Sequence, residues 1–138
     1  MNTFYRQVPL IGVLAVVYLI VAAVYESVLV RKLFTDFELP SGAKWTFGVD
    51  DLFLLVGLLL LYLEVLKSTR TGRGQIIEHI VSMLVFIGCL LMFLLVKKTG
   101  STTFLLITVM SAIEVIAGFT VSIVAARRDL EIERVSSA

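Results

Sequence analysis

The sequence predicts an all-α fold: an integral membrane bundle of four transmembrane helices, with residues 1–138 forming one domain. Three observations predict it. Apolar residues fill 59% of the 138 positions and mean hydropathy is +1.00, whereas soluble domains hold about 45–50% apolar residues. The apolar residues gather into four runs, each about the length that crosses ~30 Å of hydrocarbon. Every run ends in basic residues. The runs are continuous rather than alternating, which calls for helices, because backbone groups in lipid need partners inside their own segment.

The first span covers about residues 8–30 and is closed by Arg31 and Lys32. Arg6 ahead of the run and Val21-Ala22-Ala23 within it resemble a secretory signal. The run exceeds the usual apolar region of about 7–15 residues, so an uncleaved anchor is expected. Tyr18, Ala22 and Glu26 share one of its faces. The connection to the second span interleaves Phe34, Phe37, Trp45 and Phe47 with charged residues around Pro40-Ser41-Gly42. It is expected to lie in the headgroup region, as an interfacial anchor or a docking surface, with the proline-serine-glycine turn between two short halves.

The second span covers about residues 47–66, where Asp50, Gly57 and Glu64 recur at a seven-residue step on one face. Gly57 permits close approach of a neighbouring helix. The third, about 76–96, carries Gln75, Glu78, His79, Ser82 and Cys89 on one polar side. The fourth, about 103–126, holds Glu114 near its midpoint, with Ser111, Glu114, Gly118 and Ser122 forming a small, polar stripe. A charge at that depth costs at least about 2.5–3.5 kcal/mol on insertion scales. Glu114 is therefore expected to face a neighbouring helix and to be neutral or strongly partnered. Beyond Arg127 and Arg128 the tail can extend this helix by several residues.

Orientation follows from the basic residues. Arg6, Lys67, Arg70, Arg73, Arg127, Arg128 and Arg134 fall on one side, and Arg31, Lys32, Lys44, Lys97 and Lys98 on the other. Seven against five places both termini in the cytoplasm. A net charge of +1 gives no footprint for nucleic acid.

No cofactor and no enzymatic activity are expected. A single histidine cannot supply paired axial ligands to a haem, and no His, Cys or carboxylate spacing suits zinc or a di-iron centre. Cys89 is the one cysteine, which excludes an intramolecular disulfide. Thr71-Gly72-Arg73-Gly74 lacks the spacing of a phosphate-binding loop, and no serine sits in a nucleophile motif.

Two functions follow. One is an accessory or structural subunit of a membrane complex, or a homo-oligomer, with lipids, other membrane subunits or copies of itself as partners and the stripe of the fourth span as the principal contact. The other is a small ion channel or proton-coupled transporter, in which Glu26, Asp50, Glu114, Glu64, Glu78 and His79 form a ladder of titratable groups across the bundle.

Leu61-Tyr62-Leu63-Glu64 is followed by a short basic connection, a third span, a Lys-rich turn and a fourth span ending in Arg127-Arg128. Over the C-terminal two thirds this layout resembles the phosphate-starvation-inducible PsiE family of small four-helix bacterial inner-membrane proteins. The resemblance implies a cytoplasmic-membrane location with both termini inside. The family's third span has an arginine near its outer end, where this chain has Leu90, Leu91 and Met92. The resemblance carries no functional residue over.

Overall fold

The computed structural model describes residues 8–68 and 75–136. Arg6, Arg70, Arg73 and the connection from Thr71 to Gly74 lie outside them, as do the side chains of Glu26, Phe34, Gln75 and residues 128–136.

Five helices occupy the described chain: α1 Leu10–Val24, α2 Glu26–Leu29, α3 Val49–Ser68, α4 Gln75–Leu95 and α5 Thr102–Ser136. A hairpin of β1 Lys32–Glu38 and β2 Lys44–Gly48 joins α2 to α3, and a short 3-10 turn, Lys97–Thr99, leads towards α5. Helices thus fill the second and third apolar runs to within two residues of the expected ends. Two stretches, Ile77–Leu95 and Thr102–Val124, are long and apolar enough to cross a membrane, with mean hydropathies of 2.3 and 2.2. Of the most apolar stretch in each, 11% and 44% is buried inside the chain.

Two expectations are corrected. The fold is mostly helical rather than all-α, because the connection after the first run is a two-stranded antiparallel ladder. Phe37 pairs with Trp45 and Glu38 with Lys44, the latter a cross-strand pair of opposite charge. Gly42 takes a positive φ of 78°, which few residues other than glycine adopt, and its N–H donates to Leu39 O at 2.8 Å to close the loop. Irregular register beside Phe34 twists the ribbon.

The first run is not one helix either. It breaks at Tyr25, whose φ of −130° and ψ of 53° leave the helical region. The break contains neither proline nor glycine. It frees the carbonyl of Ala23, which accepts a bond from Lys98 Nζ at 3.2 Å.

α5 is the organising helix, packed along both α3 and α4, while α1 lies across α3 and α5. At the hairpin end the interior is aromatic. Tyr18, 2% exposed, meets Phe53 edge-on at 5.3 Å and Phe104 at 5.4 Å. Its hydroxyl, the one polar atom of that cluster, is bonded to Ser101 Oγ at 2.7 Å. Ile11, Leu14, Ala15, Ile107 and Met110 continue the core towards the other end.

Candidate functional site

Two acidic side chains, Glu64 on α3 and Glu114 on α5, are buried in apolar surroundings away from the hairpin. Glu114, on α5, is 8% exposed. Its Oε1 accepts a bond from Ser82 Oγ of α4 at 2.5 Å. Its Oε2 is buried and has no hydrogen-bond partner among the described residues. Glu64 and Lys67 of α3 lie close enough to act on it electrostatically. The carboxyl thus faces neighbouring helices of its own chain.

Glu64, 6% exposed, is anchored differently. Its Oε1 accepts the backbone N–H of Leu10 at 2.7 Å, and Lys67 Nζ stands 3.4 Å from its Oε2. Leu10 is the first residue of α1, whose own N-cap, Pro9, supplies no side-chain bond. A carboxylate borrowed from α3 therefore meets an orphan donor at the positive end of α1.

One turn along α4 from Ser82, His79 Nε2 is bonded to Ser122 Oγ at 2.8 Å, and the imidazole stacks on Phe119 at 5.6 Å. The ring lies against Gly118, where a Cβ would come within 2.5 Å of its Cε1 and Nδ1. Gly118 therefore serves a close approach between α4 and α5. Gly57 does the same for α3, since a Cβ there would fall 2.8 Å from Met110 Sδ and 3.1 Å from Leu14 Cδ2.

The stripe of the last helix is thus occupied within the chain. Glu114 meets Ser82, while Gly118 and Ser122 meet His79. Ser111 turns back on its own helix, donating to Thr108 O at 2.7 Å. Of the six titratable residues in the expected ladder, Glu114 and His79 share the seam between α4 and α5, while Glu64 is held where α3 meets α1. Glu78 is half-buried near the start of α4. Asp50 stays in the first turn of α3, fourteen residues or about 21 Å of helix from Glu64, and the aromatic cluster around Tyr18 occupies the interior at that end. The described side chains do not continue the seam through the bundle.

In the hairpin, Phe37 and Trp45 are exposed, and the Trp45 and Phe47 rings lie 5.5 Å apart. Sequence reasoning missed Asp51, whose Oδ2 accepts the N–H of Gly48 at 2.8 Å. Its signal was an acid at the third position of a helix, reaching back to the residue before it. The charge count gives Lys67 only a topological role, although its three-residue spacing from Glu64 is legible as an ion pair. Comparison of the chain with protein-family models, curated proteins and solved structures gives no match.

Proposed function

We propose that the chain is a four-span protein of the cytoplasmic membrane, with both termini on the cytoplasmic side. In this reading it acts as an accessory or structural subunit of a membrane complex or assembles with copies of itself. α1 rises about 22 Å and the short α2 follows its break, while the 20 residues of α3 rise about 30 Å, the thickness of the hydrocarbon core. The charges of α3 sit at its ends, leaving residues 52–63 uncharged. The excess of basic residues on the side of the termini supports the orientation, as does the layout that resembles the PsiE family.

The observation that carries assembly is the outward face of α4. Ile77, Ile80, Leu84, Ile87, Leu91 and Leu94 are all exposed and recur at alternating steps of three and four residues. That is the spacing of a left-handed helix pair. The polar edge of α4, at His79 and Ser82, is already committed to α5, so the opposite face is free for another helix. Purification in mild detergent followed by mass determination tests this. The expected result is a defined stoichiometry of copies or foreign subunits that Leu84→Trp and Leu91→Trp disrupt. A monomer in both detergent and nanodiscs removes the reading. Impermeant labelling of cysteines introduced at Thr99 and Ser136 tests the orientation, and labelling of position 136 from outside overturns it.

A second reading, proton or cation handling, is favoured by Oε2 of Glu114. An unpartnered carboxyl oxygen closed off inside the chain is beyond reach of another subunit's side chain but not of a proton or small ion. Glu114→Gln in proteoliposomes tests it, and unchanged ion flux excludes it.

A further inference from the structure

α1 and α4 pack only sparsely against each other, and an apolar groove runs between them. It has two lobes, of about 340 Å³ at the hairpin end and about 230 Å³ further in, sharing Val16, Leu19 and Met92 as walls. One end reaches Gly12 and the other reaches Lys98. Between Gly12 and Val24 α1 rises about 18 Å, comparable with one leaflet, half of a hydrocarbon core of ~30 Å. The groove is therefore long enough for a single chain of hydrocarbon. Its lining is almost wholly apolar, while its one charged wall residue stands at the hairpin end, where a headgroup would lie.

Lys98 is fixed there by its bond to Ala23 O, the carbonyl freed where α1 breaks. An ammonium carries three N–H donors, so the same group can also meet a phosphate oxygen, with Lys97 exposed beside it. An apolar slot closed by a fixed cation is complementary to an amphiphile with an anionic head. We propose that this groove holds one acyl chain of an anionic phospholipid from the leaflet on the hairpin side, with its phosphate on Lys98. The proposal rests on the membrane-spanning reading, which fails separately if the chain is released from membranes without detergent.

Gly88 supplies the test. It lines the groove, and a Cβ added to it meets no atom within 4 Å, so a side chain can be introduced there without a clash at its first carbon. Native mass spectrometry of the detergent-extracted protein, with phosphatidylglycerol or phosphatidylcholine added, reads the bound lipid. The wild type is expected to keep one phosphatidylglycerol per chain in preference to phosphatidylcholine. Gly88→Phe is expected to lose it with unchanged helix content, and Lys98→Gln to weaken the preference about fivefold. Wild-type occupancy in Gly88→Phe overturns the proposal. So does equal retention of the two lipids by the wild type. A wild-type dimer that Gly88→Phe converts to monomer assigns the groove to a second copy and likewise overturns it.

Discussion

Ser82 Oγ donates to Glu114 Oε1 at 2.5 Å, and this bond joins the two helices that are long and apolar enough to cross a membrane. It leaves the other carboxyl oxygen buried with no partner among the described residues, so the pair holds α4 to α5 at some cost to the interior. Removing one member strands the other, whereas removing both removes the conflict. Ser82→Ala is therefore expected to destabilise the protein by about 1–3 kcal/mol. The double variant Ser82→Ala with Glu114→Leu is expected to recover most of that loss. Thermal unfolding in detergent reads the cycle, and additive losses would contradict it.

The His79 ring and Gly118 give a second cycle. Gly118→Ala puts a methyl group where the imidazole lies, and the expected cost is about 1–3 kcal/mol, as for other overpacked interiors. Adding His79→Ala empties the space and should restore stability to the level of His79→Ala alone. A Gly118→Ala variant as stable as the wild type would mean that the helices separate without penalty.

Glu64 predicts a difference between two substitutions. Gln keeps a carbonyl oxygen for the Leu10 N–H, whereas Ala leaves that donor bare. Glu64→Ala is expected to cost about 0.5–2 kcal/mol, the range for a lost helix cap, and Glu64→Gln distinctly less. Hydrogen exchange at the start of α1 should quicken in the alanine variant. Equal exchange in both variants would exclude the capping role.

At the opposite end of α3, neighbouring acids separate by role. Asp51 accepts the Gly48 N–H, so Asp51→Ala is expected to lower stability by about 0.5–2 kcal/mol. Asp50→Ala should lose only the weaker attraction of a charge for the helix end, about 0.3–1 kcal/mol. Thermal midpoints of the two variants rank them, and the reverse order would overturn the assignment.

The sequence makes α3 and α4 legible because each apolar run is continuous, close to 20 residues long and bounded by charge. It makes the polar stripe of α5 legible because Ser111, Glu114, Gly118 and Ser122 recur at helical steps. Which helix the stripe meets was not legible, since periodicity fixes a face but not its neighbour. The face could serve α4 or a foreign subunit equally until tertiary contact places His79 on Gly118. The hairpin was missed although Lys44-Trp45-Thr46-Phe47 alternates and Pro40-Ser41-Gly42 supplies a turn. Aromatic residues among charges also describe an interfacial strip, and that pattern prevailed. The break at Tyr25 carries no local signal, because the Lys98 that takes up the freed carbonyl lies 75 positions away.

The bond between Leu10 and Glu64 links residues 54 positions apart, which gives assembly of the chain a direction in time. When α1 leaves the ribosome its first turn has donors and no acceptor for them, a state lipid does not tolerate and water does. On the membrane-spanning reading, its leading end is therefore expected to stay at the wet surface until α3 has been made. Only the arrival of that helix supplies the acceptor that the Leu10 N–H lacks.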